Sequence, residues 1–385
     1  MIPYGKQNIS EEDISAVVDV LRSDFLTQGP KTSQFEEAIS VYCGSKYALA
    51  VNSATSALHI ACLALNLKKG DWLWTSPNTF VATTNCGLFC GANVDFVDID
   101  PKTYNMCCSA LEEKLLEARK RKCLPKIVIP VHFGGLSCDM RKIKELSKKF
   151  KFSVIEDASH AIGGRYHGKP IGNCEFSDIT VFSLHPVKII TSGEGGLALT
   201  NDKNLNKRMK LFLNHGITRD PELMTKDKEG PWFYEQITLG YNYRMTEIQA
   251  ALGLSQMDRL DEFVVKRNEL SQRYENTLAD LPFQLQEVSS SVYSARHLYV
   301  IRTFQKQRRK LFDKLRNEGI GVNFHYIPVH LQTYYRNLGF QEGDCPKAES
   351  YAQEAISIPL YPSMTIKQQD HIINILKGSC AKSHL

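Results

Sequence analysis

Three short stretches carry residue types that could do chemistry together. The first is "SLHPVKIITSGEGG" (183–196), where a single lysine, Lys188, stands between an apolar run and a glycine-rich turn. Pro186 precedes it and Gly193, Gly195 and Gly196 follow, so Lys188 is expected on a structured loop and not on a surface helix. The second is "VIEDASHA" (154–161), where Asp157 ends an apolar strand and His160 lies three residues on. A carboxylate at a strand's end can pair with a protonated ring nitrogen, but Asp is also a common helix N-cap, and a lone histidine is often a structural one. The third is "NSATSAL" (52–58), a strand end, a turn of small residues and a helix start. Its backbone N–H groups favour an anion and its small side chains admit a phosphate, although Ser, Thr and Asn cap helices without any ligand. On one sheet, an anion seat, a strand-end acid and a loop amine are the three contacts that pyridoxal 5'-phosphate needs. Nearby charge and partial burial lower a lysine's pKa and free its nitrogen to attack a carbonyl.

The elements that must position these groups are legible as alternation. "YALAVN" (47–52), "DWLWTS" (71–76), "NVDFVDID" (93–100), "KIVIPV" (126–131), "FSVIED" (152–157), "DITVFS" (178–183) and "GLALTN" (196–201) read as strands. Helical spacing joins Leu58, Cys62 and Leu65, and further helical patterns fall near 79–90, 109–121 and 140–150. The fold class expected is α/β, a mostly parallel sheet wrapped by helices, with ligands beyond the carboxyl ends of its strands. From about 246 to 280 the pattern is a long helix broken once; strands at 296–303 and 319–326 then flank a helix at 307–318. An N-terminal arm and large domain (1–258) and a smaller α+β domain (259–385) are therefore expected. "NSATSAL" is not a P-loop, since no Gly-Lys-Ser/Thr follows, and "GEGG" precedes a strand where a dinucleotide fingerprint would open a helix.

Composition limits the partners. The 385 residues hold 43% hydrophobic and 23% charged side chains, with 47 basic against 42 acidic for a net +5, which gives no argument for nucleic acid. The basic runs "EARKRK" and "RKIKELSKKFK" sit in helical patterns with acids nearby and read as solvated faces. The 11 cysteines are scattered; neither "CGLFC" (86–90) nor "MCC" (106–108) has a second pair at zinc spacing, so no metal is expected and the thiols are read as buried. The start "MIPYGKQNISEED" lacks the regions of a secretory signal, and no stretch reaches about 18 apolar residues. A reducing cytoplasm and no membrane partner are expected.

"VIEDASHAIG", "SDITVFSLHPVKIITSGEGGLALTND" and "LGYNYRMTEIQAALGLSQMDRLDEF" resemble the sugar aminotransferases of the DegT/DnrJ/StrS type, a branch of the fold-type-I pyridoxal-phosphate enzymes; the likeness runs from "IPYGKQNISEEDI" to "ISIPLYPSM". "SDFLTQGP" (23–30) and "NSATSAL" are most similar to the branch that serves pseudaminic acid biosynthesis, which implies a UDP-linked 4-keto-6-deoxy-N-acetylhexosamine as substrate and L-glutamate as amino donor. The resemblance implies that Lys188 bonds the cofactor's aldehyde carbon and moves protons, and that Asp157 holds the ring nitrogen protonated. It places Ala54, Thr55 and Ser183 at the phosphate and Phe80 against the ring, although spacing alone reads Phe80 as core. Asn242 matches an asparagine that reaches the phosphate of the neighbouring subunit, so a homodimer with shared sites is implied. His160 stands near the cofactor's 3'-oxygen, where many relatives carry Gln and the pseudaminic type carries His. Tyr4, Leu26, Thr27, Ser53, Arg244, His325 and Tyr326 match stretches that border the nucleotide-sugar cleft; Arg244, with its planar fork, suits a diphosphate, with an ordinary salt bridge as its other reading.

Other readings stay open on sequence alone. Amination of another keto sugar nucleotide, of the bacillosamine or perosamine type, is the nearest. The family's dehydratases replace the lysine with histidine, which this chain does not do. A non-catalytic cofactor-binding regulator on the same fold would need a DNA-binding segment that is not visible, and a nicotinamide dehydrogenase would need the missing glycine fingerprint.

Overall fold

The computed structural model describes residues 1–226, 229–303 and 307–380. Its main sheet has seven strands: β1 (Tyr47–Val51), β2 (Trp72–Thr75), β3 (Asn93–Phe96), β4 (Ile127–Ile129), β5 (Ser153–Asp157), then, after the small hairpin β6 (Arg165–Tyr166) and β7 (Lys169–Pro170), β8 (Ile179–Ser183) and β9 (Gly196–Thr200). The order is β1-β9-β8-β5-β4-β2-β3. The four pairings from β8 to β3 are parallel, and β9 alone runs against both of its neighbours. All seven expected strands form, and the sheet is mostly parallel with helices on both faces; six strands are buried on both sides, and only the edge strand β3 alternates Asn93 and Asp95 with buried Val94 and Phe96.

Strand alternation then decides which residues share a face. Ile179 and Val181 of β8 join Ile155 of β5 in one core with Leu58, Ile60 and Leu73, while Phe182 joins Phe35, Ile39 and Leu197 on the other side. Asp157 is two residues after Ile155 and Ser183 two after Val181, so both end on the face covered by the helix Ala54–Ala64. Asp157 and Val181 are register partners, which sets the two side chains on adjacent strands.

Helix ends follow from local chemistry. Ser10 and Thr246 form capping boxes with Asp13 and Gln249, and Ser53, Asp139 and Asp202 cap their helices through side-chain oxygens. The buried Glu247 carboxylate accepts the Lys31 N–H at 2.6 Å at the start of the helix Pro30–Cys43, where free N–H groups favour a negative charge. The basic runs lie on helix faces beside acids, with Lys149 2.7 Å from Glu112 and Arg121 paired with Glu117.

The expected long helix is two, Glu247–Met257 and Leu260–Leu278. The second gives Leu260, Phe263 and Val264 to the core around Phe35, and Leu270, Tyr274 and Leu278 to another core under the antiparallel strands Gln284–Leu285, Tyr299–Arg302 and Ala355–Ile358. Helices Arg308–Asn317 and Ile366–Cys380 complete that layer. The expected strand at 319–326 does not form: the segment makes only single bridges, Ile2 with Ile320 and Asn323 with Ser357. Its backbone is divided between two partners, since the Gly321 N–H donates to Ile2 and the Asn323 N–H to Ser357. Among the described residues no helix is long and apolar enough to cross a membrane. The 11 cysteines are free, but only six are buried; Cys90, Cys107, Cys108, Cys123 and Cys380 are partly exposed, which corrects the reading of them all as buried.

Candidate active site

Beyond the carboxyl ends of β5 and β8 lies a cavity of about 540 Å³, lined among others by Ser53, Ala54, Thr55, Asp157, Ser183 and Lys188. Asp157 is 4% exposed and its two oxygens have separate partners: Oδ2 accepts the Thr83 hydroxyl at 2.7 Å and Oδ1 the Ser159 N–H at 3.1 Å. The alternative of a helix N-cap is thus replaced by a cap on a tight turn that leaves the carboxylate in the cavity wall.

Lys188 sits on a loop pinned at both ends. Ile189 and Ile190 are buried in the core, the Lys188 N–H donates to His185 at 2.9 Å, and the Leu184 N–H donates to Gly195 across the loop's base at 2.9 Å. Burial pushes the ammonium down to about 8, against the pull of the Asp157 carboxylate, which favours the charged form. A lysine at that value is amine to a useful extent at neutral pH, unlike one in water.

The anion seat is built by two backbones in close contact. Ser53 caps the helix Ala54–Ala64 by accepting the Ser56 N–H at 3.1 Å, which leaves the first-turn N–H groups of Ala54 and Thr55 without intrahelical acceptors. Gly196, first residue of β9, lies against this turn: a β-carbon there would come within 2.5 Å of the Ser53 carbonyl and the Ala54 nitrogen. The "GEGG" glycines therefore serve helix–strand contact at the seat and the turn after Lys188, where Gly193 has φ +80.

His160 is held in one tautomer. Its Nδ1 accepts the Gly134 N–H at 3.3 Å, so Nε2 carries the proton and faces the Tyr326 hydroxyl at 3.2 Å. Burial first, then Lys188 and His325, hold its pKa well below the usual histidine range, so the ring is neutral. Burial and then Lys188 push His325 down to about 3, and its Nδ1 lies 2.8 Å from the Ser357 hydroxyl. Tyr4 reaches the cavity because the N-terminal arm lies along the second core, with Ile2 bonded to Gly319 and the Tyr4 carbonyl accepting the Leu360 N–H; its ring is 5.4 Å from that of His325. Phe80 is 59% exposed on the cavity wall, so the core reading from spacing fails; an apolar ring face is left open toward the cavity.

Four of the expected residues stand outside their own chain's cavity lining. Leu26 is exposed and Thr27 bridges Thr246. Asn242 bridges Asn214 and accepts at its carbonyl from Asn52. Arg244 donates to the Asn214 amide oxygen at 2.6 Å, not to a carboxylate, and its Nε is buried without a partner among the described residues. Sequence reading missed Thr83 and His297. Thr83 lies one helical turn after Thr79, with hydroxyls 2.7 Å apart, a spacing that could have been noticed beside "NTFVAT". His297 packs its ring 4.4 Å from His160, with Nδ1 unpartnered, and no local pattern signals it.

Comparison with known proteins places this geometry. The DegT/DnrJ/EryC1/StrS aminotransferase family model matches residues 7–377. A Campylobacter jejuni protein named UDP-4-amino-4,6-dideoxy-N-acetyl-beta-L-altrosamine transaminase is 38% identical over 394 residues, covering 99% of this chain and 100% of the relative. The solved structure of Helicobacter pylori PseC, an aminotransferase involved in the biosynthesis of pseudoaminic acid, superposes with TM-score 0.89 at 33% identity over 99% of each chain. A putative sugar aminotransferase from Streptococcus pneumoniae, Spr1654, solved in its PMP form, gives TM-score 0.91 at 31% identity, covering 99% of this chain and 100% of that one. The residues present here fit the same cofactor: a first turn that takes an anion, a glycine that keeps the seat open, a buried carboxylate fixed by Thr83 and a lysine amine of lowered pKa. On this agreement between site and relatives, the chain belongs to the DegT/DnrJ/EryC1/StrS family of sugar aminotransferases, which depend on pyridoxal 5'-phosphate.

Proposed function

We propose that the enzyme transfers the amino group of L-glutamate to C4 of a UDP-linked 4-keto-6-deoxy-N-acetylhexosamine, as a step of pseudaminic acid biosynthesis. The observation that carries the reaction type is Lys188, lowered to about 8 in a cavity that also presents the fixed Asp157 carboxylate. The substrate rests on the C. jejuni transaminase, which is matched over its full length. Bound in the cavity, pyridoxal 5'-phosphate supplies an aldehyde carbon that takes up the amino group and a ring that withdraws electrons from the broken C–H bond. Asp157 accepts the ring N–H and so favours the protonated, electron-poor ring. Lys188 takes the proton from the donor's α-carbon and, in the second half-reaction, delivers a proton at C4 of the sugar. His160 donates from Nε2 without changing charge near neutral pH.

Asn242 and Arg244 serve the second subunit in this reading. Trp232, Leu239 and Leu26 are 70%, 72% and 51% exposed, and these apolar side chains are the surface that a partner would cover. The partner subunit's Asn242 then completes the phosphate seat. A panel of UDP- and dTDP-linked 4-keto sugars with glutamate, read by product stereochemistry, tests the substrate. Turnover of the UDP-linked N-acetylated sugar is expected, and a preference for a sugar without the acetamido group would overturn it. Borohydride reduction of the loaded enzyme should fix the cofactor on the peptide containing Lys188; an unlabelled peptide would remove that residue from its role.

A further inference from the structure

The cavity must also receive a dicarboxylic amino donor, yet its wall is poor in cations. Among the described residues its lining holds no arginine, and Lys188 is its only lysine. Three buried histidines line it as well. His160 has a partner at each nitrogen, Gly134 and Tyr326; His325 lies 2.8 Å from the Ser357 hydroxyl through Nδ1 and 3.5 Å from the Asn323 amide through Nε2. His297 differs: it is 5% exposed, and neither of its ring nitrogens has a hydrogen-bond partner among the described residues. Its Nδ1 is sealed off, and a buried N–H without an acceptor costs more than a bare lone pair, so the proton belongs on Nε2. Burial first, then His160, Lys188, Arg267 and His325, hold its pKa well below the usual histidine range, so the ring is a neutral donor.

The backbone holds this ring in place from several sides. The Ala295 and Leu298 N–H groups donate to the Gly135 and Gly134 carbonyls, Arg296 takes φ +50, and a β-carbon at Gly135 would come within 2.7 Å of the Arg296 nitrogen. Because the Gly134 N–H also donates to His160, one turn fixes both imidazoles, whose centroids are 4.4 Å apart. Arg267, 1% exposed, grips the same turn. Its guanidinium donates to the carbonyls of Leu360 at 2.9 Å and of Arg296 and His297 at 3.3 Å, and among the described residues it pairs with no carboxylate. Glu275 pairs instead with Arg296, at 2.5 Å. A buried cation without its own anion is costly, and an anion arriving at the cavity wall lowers that cost. We infer that His297 holds a carboxylate of the amino donor: its Nε2–H donates to the anion, and the uncompensated Arg267 charge attracts it from behind the wall. This deepens the proposed function and rests on its glutamate half-reaction. The arrangement suits a cavity that serves two substrates in turn, since a guanidinium exposed there would stand unpaired beside the keto sugar once the donor has left, and a neutral imidazole leaves no such charge.

The test is calorimetric titration of the holoenzyme with glutarate, which has both carboxylates of the donor and no amino group. His297→Phe keeps a flat ring against His160 and removes the N–H; glutarate affinity should fall about tenfold or more, and His297→Gln, whose amide carries an N–H, should recover part of the loss. In single turnovers His297→Phe should need about tenfold more glutamate to bleach the cofactor's visible absorbance, at an unchanged maximal rate, while the half-reaction with the keto sugar keeps its wild-type half-saturation. A merely structural role would weaken both half-reactions, so an equal loss in the two overturns the inference. Glutarate affinity that is the same in wild type and His297→Phe, or a wild type that takes up no glutarate, overturns it as well. Failure of every keto sugar to be aminated would count against the proposed acceptor alone, because the glutarate titration and the glutamate half-reaction decide the role of His297 without any sugar.

Discussion

Replacing Lys188 by Met in the apoenzyme isolates what the site imposes on its amine. A lysine at about 8 in the folded protein and about 10.4 in the unfolded chain binds a proton less readily when folded. Between these values the unfolded state holds more protons, so stability rises as pH increases from about 8 to about 10.5 and the burden is greatest below 8. At about 1.4 kcal/mol per pKa unit, burying the ammonium costs about 3 kcal/mol at pH 7 and under about 1 kcal/mol at pH 10. Methionine of similar length carries no charge and escapes that cost at both values. Urea denaturation of wild type and Lys188→Met at pH 7 and pH 10 therefore measures a difference of differences, in which other titrating groups largely cancel. The variant should gain about 2 kcal/mol on the wild type at pH 7 relative to pH 10. A stability gap that is unchanged between the two pH values would refute the claim that Lys188 is held near 8.

Thr83→Val removes the hydroxyl that donates to Asp157 at 2.7 Å while keeping the side chain's shape; a hydrogen bond to a charged group is worth about 1.5–3 kcal/mol, so a fall of at least tenfold in kcat is expected, and unaltered kinetics would remove Thr83 as a positioning residue. Gly196→Ala drives a β-carbon to within 2.5 Å of the Ser53–Ala54 backbone; cofactor affinity measured by equilibrium dialysis should fall about tenfold or more, with the fold retained by circular dichroism. Asp157→Asn should bind the cofactor weakly and slow proton transfer, seen as a larger solvent isotope effect, while full activity would take it out of the mechanism.

The strands and the three chemical stretches were readable because each depends on local pattern. "VIED" and "DITVFS" are apolar runs of strand length, and the parity within them already places Asp157 and Ser183 on one face once the strands lie side by side. The turn after Lys188 and the cap at Ser53 follow from glycine and hydroxyl chemistry at single positions. The segment 319–326 misled for the same reason: its alternation specifies an extended chain, yet the N-terminal arm and Ser357 divide its backbone bonds, and neither partner is visible within the segment.

What folding alone decided are contacts between distant parts of the chain. His297 meets His160, Tyr4 meets His325, and Cys62 meets Cys86, although nothing in their neighbours' sequence announces these meetings. Residue type sets which reactions a side chain can perform, but its pKa and tautomer depend on burial and on the charges facing it. For Lys188 and His160 those are supplied by elements far away in sequence.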